Sequence, residues 1–312
     1  MAQPYPHAYL SDRLLPIEQA HLSIASSAVL YGLSVYTVFP VLPTLHGLAA
    51  FRLADHYRRL VESARIIGLD TFEPAWSEER FMAAMRQLVM ANDVTTAAFV
   101  RVTVHVDELV PGTRSRGLHT SLSAFVYEAA PILPPSGARL KTSVWRRLPD
   151  YAIPARAKVN GAYVNSVLAR QDAIDSGYDD CIFLDSQGHV CELSAANIFM
   201  VRGGTLITPS TTSDLLEGIN RRTVLELARD LRVPVAERDI DLTELYIADE
   251  VFACGTSAYL APVGEIDARA IGEGRPGPVT TRLRERYMAV LQGRAPSHRD
   301  WLTPLEPVVT RS

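Results

Sequence analysis

Cysteine is scarce in this chain: three in 312 residues, Cys181, Cys191 and Cys254. They have neither the close pairing of a metal site nor the even count of a disulfide framework, which argues against a disulfide-stapled secreted domain and against a structural zinc domain. The cytoplasm is the compartment such thiols fit. His105, His119 and His189 share no ligand spacing, so no metal is expected. A strong charge of one sign is also missing. The formal net charge is −4 and no long block of like charges occurs, so no field for nucleic acid exists. The first residues lack a basic start followed by an apolar core, and no secretory signal is expected.

From Ala20 to Phe51 there is no Asp, Glu, Lys or Arg. Such a length could cross a bilayer. However, Ser23, Ser26, Ser27 and Ser34 are polar, and Pro40, Pro43 and Gly47 break the stretch into pieces too short to span. It reads as buried strand, turn and helix beside a dry site, not as a membrane anchor.

What is present is enough sequence for two medium domains with a real core. Pro131, Pro134, Pro135, Ser136 and Gly137 cluster as a connection, which sets an N-terminal domain at 1–130, a linker at 131–138 and a second domain at 139–312. In the first, Leu48 to Leu53 reads as a strand running into a helix with a stripe at Leu60, Val61, Ala64, Ile67 and Gly68. Ser77 can cap a second helix that runs to Ala91. Strand-like runs follow at 98–106, 121–127 and 140–145. The second half mixes helices at 161–175, 218–231 and 278–291 with short strands at 180–184, 197–201, 205–207 and 250–254. The class is α/β with α+β character, without internal repeats.

Two runs carry chemistry. Lys158 stands among small residues in Ala155-Arg156-Ala157-Lys158-Val159-Asn160-Gly161-Ala162-Tyr163, and Glu192 opens Glu192-Leu193-Ser194-Ala195-Ala196-Asn197-Ile198-Phe199. A lysine beside glycine and alanine can approach a bulky ring, and a carboxylate keeps a pyridine nitrogen protonated, so the pair points to an imine with pyridoxal phosphate. A decoy lies at Gly272-Glu273-Gly274-Arg275-Pro276-Gly277, which has dinucleotide-turn spacing. Asp267 to Ile271 before it is too polar for a buried parallel strand and Pro276 removes a donor, so it reads as a turn into the last helix.

Tyr31-Gly32, His56 to Leu60, Lys158 to Tyr163, Glu192 to Phe199, Leu216 to Arg221 and Gly255-Thr256-Ser257, taken in order, resemble class IV (fold type IV) aminotransferases, the branched-chain amino acid aminotransferases above all. The resemblance runs from about Tyr5 to Arg294. It implies a small N-terminal α/β domain, a larger C-terminal domain with a barrel-like sheet, and a shared active site in a homodimer. It implies Lys158 as covalent anchor of pyridoxal 5'-phosphate and carrier of the substrate Cα proton. Glu192 pairs with the pyridine nitrogen and Tyr163 stands near the ring's phenolic oxygen. Arg59, chosen over Arg58 by the family's His-x-x-Arg-Leu pattern, binds the phosphate with Ile219, Asn220 and Thr256. Many relatives have Thr at the position of Asn220.

Tyr31, Tyr36, Val38, Phe99 and Arg101, with Trp145, Ser257 and Ala258, are placed in the substrate pocket. For Tyr36 and Phe99 plain core packing is the alternative. This chain departs from the branched-chain pattern in three places. Tyr36-Thr37-Val38-Phe39-Pro40 replaces an aromatic-Glu-Gly-Ile-Arg run, Phe99 replaces a carboxylate-binding tyrosine, and Arg114 and Arg116 stand in a loop usually apolar. Either arginine can reach a carboxylate or sit in solvent.

The resemblance implies a transaminase moving an amino group from a hydrophobic, branched-chain amino acid to a 2-oxo acid such as 2-oxoglutarate. The alternatives on the same fold are an (R)-selective amine or D-amino acid transaminase and a lyase of the 4-amino-4-deoxychorismate type. A non-catalytic scaffold is disfavoured, because it needs no imine-forming amine opposite a ring-pairing acid.

Overall fold

A computed structural model describes residues 2–305; the last residues assigned to the second domain, 306–312, lie outside the described residues. By contacts the chain divides into two units. The first contains Met1–Ala130, Ala157–Gly161 and Ala289–Ser312, and the second contains Pro131–Arg156 and Ala162–Met288.

The first unit opens with a hairpin of β1 (Pro4–Leu10) and β2 (Arg13–Pro16). Its two-residue turn puts Ser11 and Asp12 at positive φ, the geometry that matches the twist of paired strands. Helix α1 (Ser27–Tyr31), β3 (Ser34–Thr44) and β4 (Gly47–Phe51) take up the charge-free stretch; β3 and β4 are buried as expected, whereas residues 21–24 and 29–31 are exposed. Then come α2 (Leu53–Ile66), α3 (Phe72–Ala75), α4 (Glu78–Ala91), β5 (Ala98–Val106) and β6 (Thr120–Glu128). Ser77 does cap α4, accepting from the Arg80 N–H at 3.2 Å.

The second unit runs through β7 (Ala138–Thr142), α5 (Tyr163–Asp175), β8 (Asp180–Leu184), β9 (Val190–Leu193), β10 (Asn197–Arg202) and β11 (Thr205–Thr208). It continues with α6 (Ile219–Asp230), β12 (Val235–Glu237), α7 (Leu242–Tyr246), β13 (Glu250–Gly255), β14 (Tyr259–Ile266), β15 (Arg269–Ala270) and α8 (Pro278–Leu291). The chain ends its described part in β16 (Leu302–Pro304), back in the first unit. The glycine-rich decoy is a turn between β15 and α8.

Among the described residues, the first unit holds a seven-stranded sheet in the order β16-β4-β3-β5-β6-β1-β2. In the second, β10-β13-β14-β7-β8-β9 close into a barrel, because β9 pairs with β10 through Glu192 and Asn197. Strand alternation splits the core there. On β8, Ile182 and Leu184 join the large cluster with Leu140, Ile198 and Ala253, while Cys181 and Phe183 face Ala169 and Ala173 of α5. Each fully buried phenylalanine in these layers, Phe39, Phe51, Phe183 or Phe199, contributes roughly 1.5–3 kcal/mol of transfer free energy.

Two expected boundaries move for physical reasons. The strand expected over 140–145 ends at Thr142, and Trp145 instead donates its N–H to Ser143 Oγ in a turn. The helix expected from Gly161 begins at Tyr163, because the N–H groups of Asn160 and Gly161 are bonded to Ser34 O and Gly32 O and residues 160–162 form a turn.

Candidate active site

Residues 158–161 complete an unfinished strand. β4 pairs with β3 over Val41 to Thr44, so that edge of β3 needs another partner nearer its start. Lys158 to Gly161 supplies it. Tyr36 N–H donates to Lys158 O at 3.0 Å, Asn160 N–H to Ser34 O at 2.9 Å, and Gly161 N–H to Gly32 O at 3.1 Å. Pro40, which has no N–H to give, lies between these two partners of β3. Glycine is required at the crossing. Gly32 has φ +64°, and a Cβ there would lie 2.8 Å from Gly161 Cα.

The lysine is also tied to α2. Ser63 Oγ accepts the Lys158 N–H at 3.1 Å and donates to Arg59 O at 2.8 Å. One buried hydroxyl therefore joins the lysine backbone to the turn that bears Arg59. Arg59 donates to Thr37 Oγ1 at 3.3 Å, and that oxygen lies 2.8 Å from His56 Nδ1. The His-x-x-Arg spacing has this physical meaning: residues three apart on a helix share a face, and both meet one β3 hydroxyl. Arg58 points away, with 60 % of its side chain exposed and Asp55 beside it at 3.1 Å.

The opposite face of β3 and β5 collects the pocket candidates. Register places Tyr36 opposite Thr103, Val38 opposite Arg101 and Pro40 opposite Phe99. Arg101 Cζ stacks 3.8 Å from the centre of the Tyr36 ring, and Lys158 Nζ lies 4.7 Å from that centre. Phe99 is buried, 5.6 Å ring to ring from Tyr127. Tyr31, Arg114 and Arg116 are exposed, the last two in a loop tied down by a 2.9 Å bond from the Gly117 N–H to Asp70.

The second unit gathers a different set. Glu192 is buried where β9 meets β10, 2.9 Å from Arg147, and it accepts from Asn197 Nδ2 and from Leu216 N–H, each at 3.2 Å. An arginine, a side-chain amide and a backbone N–H thus converge on this carboxylate. Asn197 also donates to Leu216 O at 2.9 Å, fixing the approach to α6. Gly218 caps that helix, and a Cβ on it would fall 2.0 Å from Asn197 Oδ1. The N–H groups of Ile219 and Asn220 open the helix, where no intrahelical acceptor exists. The Asn220 side chain is engaged elsewhere, accepting from Tyr287 Oη at 3.2 Å. Tyr163 opens α5, and Thr256 to Ala258 form the turn after β13. Trp145 is 44 % exposed. Burial pushes the Cys254 thiol up to about 12, and it raises Cys181 and Cys191 as well. None of them is a thiolate nucleophile at neutral pH.

Ser63, Thr37 and Arg147 are absent from the residues singled out by sequence. Ser63 carried a usable signal, a small polar residue inside the apolar stripe of α2. Arg147 carried none, since nothing in Arg146-Arg147 tells which arginine turns inward.

Comparison with known proteins agrees with this geometry. Residues 35–266 match the amino-transferase class IV family. A probable branched-chain-amino-acid aminotransferase of Synechocystis sp. is 35 % identical over 95 % of this chain and 96 % of its own length. One of Aquifex aeolicus is 36 % identical over 96 % of each. Among solved structures, the branched-chain aminotransferase of Thermoproteus uzoniensis with norvaline superposes with a TM-score of 0.91 at 33 % identity, covering 97 % of this chain and 100 % of its own. The branched-chain amino acid aminotransferase of Thermobaculum terrenum in its PLP form superposes at 0.89 and 32 % identity, covering 97 % and 99 %. The lysine segment, the buried carboxylate and these matches together establish that the chain belongs to the class IV aminotransferases.

Proposed function

We propose that this protein is a pyridoxal 5'-phosphate-dependent transaminase that takes the amino group of a hydrophobic, branched-chain amino acid and delivers it to a 2-oxo acid such as 2-oxoglutarate. The observation that carries the reading is Lys158, a half-buried lysine whose backbone is held by β3 and Ser63 and whose Nζ lies over the Tyr36 ring. The donor set fits the cofactor: one amine for the aldehyde, one buried carboxylate for the pyridine nitrogen, and open N–H groups at the start of α6 for a phosphate. When bound, pyridoxal phosphate supplies the electron sink that lets the Cα–H bond break.

The chain's own groups do the rest. Lys158 anchors the cofactor and, once released, carries the proton to and from the substrate Cα. Glu192, held in place by Arg147 and Asn197, would pair with the ring nitrogen and keep it protonated. Tyr163 serves the phenolic oxygen. Arg59, with Ile219, Asn220 and Thr256, holds the phosphate; for Asn220 the backbone N–H serves, since its side chain is bonded to Tyr287. Tyr36, Val38 and Phe99 give an apolar wall for a branched side chain, and Arg101 gives a cation for a carboxylate. Tyr31, Trp145, Ser257 and Ala258 complete the assigned pocket, with Arg114 and Arg116 as a second carboxylate-binding choice.

A homodimer in the cytoplasm belongs to the same reading. Ile24 is 83 % exposed, and Leu22, Val29, Leu30, Leu109 and Val110 are exposed with it. The two stretches are joined by Val110 N–H to Ala25 O at 2.9 Å, an apolar surface that a second copy would cover. Light scattering on the purified protein measures this, and a monomer at micromolar concentration overturns it.

The function is tested by absorbance of the protein loaded with pyridoxal phosphate, before and after L-leucine, D-alanine or (R)-1-phenylethylamine. A band near the visible edge that bleaches with L-leucine, and is missing in Lys158→Ala, supports the proposal. Bleaching only with D-alanine or the amine moves the assignment to those branches and to Arg114 and Arg116. Release of pyruvate from aminodeoxychorismate without any amino acceptor moves it to the lyase.

A further inference from the structure

Arg101 is a half-buried guanidinium whose hydrogen-bond partner, among the described residues, is neutral. Its Nη2 donates to Asn160 Oδ1 at 2.5 Å, and its Cζ rests on the Tyr36 ring that Lys158 Nζ also approaches. Asn160 is itself fixed from two sides. Its N–H donates to Ser34 O, and its Nδ2 donates to Ser34 Oγ, both at 2.9 Å. With Nδ2 committed to Ser34, Oδ1 has one direction to face, and Arg101 is there.

We infer that Asn160 is a positioning and specificity-determining residue: its amide aims Arg101 at the second carboxylate of a dicarboxylic acceptor without cancelling the guanidinium charge. The inference rests on the preceding reading of Arg101 as a carboxylate-binding cation. A neutral acceptor is what the task needs. An arginine held by a carboxylate has little charge left to offer an anion, whereas an arginine with no tether loses side-chain entropy when a ligand orders it. An amide fixes the planar fork beforehand and leaves its other N–H groups for the ligand. Because Asn160 lies two residues past Lys158 on the segment paired with β3, the aim of the arginine and the place of the lysine are set by one stretch of backbone.

The test compares dissociation constants of glutarate and 4-methylpentanoate, measured by calorimetry on the cofactor-loaded protein. No amino donor is present, so nothing turns over. In Asn160→Asp the preference for glutarate falls by about tenfold or more, the size of a lost charge-assisted contact, while 4-methylpentanoate binds as before. Asn160→Ala and Ser34→Ala lose part of the preference, and thermal melts identify any variant that is merely unfolded. With L-valine as donor, the same variants lose kcat/KM for 2-oxoglutarate through KM while keeping it for 4-methyl-2-oxopentanoate. If Arg101→Gln abolishes the glutarate preference but Asn160→Asp and Ser34→Ala leave it within about twofold, positioning by Asn160 is refuted. Equal weakening of both acids refutes it too, by assigning Asn160 a structural role alone. The underlying reading fails separately, when wild-type protein exchanges no amino group with L-leucine whatever glutarate does.

Discussion

Two neighbouring arginines in α2 have different fates, and the difference follows from helix geometry: Arg59 shares the face of His56 and reaches Thr37, while Arg58 lies a hundred degrees around the axis by the pitch of an α-helix. Arg59→Ala is expected to raise the dissociation constant for pyridoxal phosphate about tenfold to a hundredfold, the size of a charge-assisted contact to phosphate. Arg58→Ala should leave it within about twofold, as an exposed pair with Asp55 predicts. Absorbance titration of the apoprotein reads both, and equal effects would refute the phosphate assignment. Arg147 is the harder residue to find. It and Glu192 are each 7 % exposed on their side chains, so removing the arginine strands a buried carboxylate. Arg147→Leu is expected to cost about 3–5 kcal/mol of unfolding free energy. Urea denaturation measures it, and a loss below about 1 kcal/mol would mean that water reaches Glu192. Lys158 is legible in the sequence because its small neighbours are unusual for a charged residue, and Glu192 because its run resembles the one that follows the lysine in class IV aminotransferases. Arg147 and Ser63 become legible only when folding brings distant strands and helices to them.

At the level of elements, signals made within a few residues survive well and signals made by distant pairing do not. Ser77, the apolar stripe of α4 and the bounds of β8 and α8 could be read locally. The hairpin β1–β2 carries no local signal, because Pro4 and Pro6 disguise a strand that pairs with β2 and with the distant β6. β16 and the lysine segment are invisible for the same reason: each takes its place only because β4 or β3 offers an open edge. β5 adds a pH dependence of its own. Its His105 is fully buried, and burial lowers its pKa more strongly than Asp107, 3.6 Å away, raises it. A base whose folded pKa lies below its unfolded value, about 6.5, stays neutral in the fold while the unfolded chain takes up a proton. Stability is therefore complete above about pH 6.5 and declines as pH falls from there toward the folded pKa. His105→Leu should flatten the fall of unfolding free energy between about pH 7 and 5. Parallel slopes in wild type and variant, measured by urea denaturation at several pH values, would show that His105 does not supply the linkage.

On the scale of the whole chain, composition suggests a connection at 131–138 but carries no sign of how often the chain passes from one unit to the other. It leaves the first unit after Ala130, returns for Ala157–Gly161, leaves again and returns after Met288. The brief second visit carries the candidate catalytic lysine, and the last brings β16 to β4. The small residues around Lys158 mark a close approach, but nothing in either segment names the strand that it pairs with. The consequence is testable without any ligand. A fragment of residues 139–312 keeps the strands of the barrel apart from Ala138, the first residue of β7, but lacks β3 and β4, so its residues 157–161 and 302–304 have lost the edges that order them. A fragment of residues 1–138 keeps β3 and β4 with those edges bare, an invitation to aggregate. Expressed separately, the pieces are expected to give broad melts and, for 1–138, poor solubility. Expressed together, they are expected to recover a single cooperative transition, because the missing contacts need proximity and not a continuous peptide. Circular dichroism melts of the two fragments and of the mixture decide it. Independent sharp transitions for both pieces would mean that the returning segments are passengers on two self-sufficient domains, and the lysine's place would then owe nothing to β3.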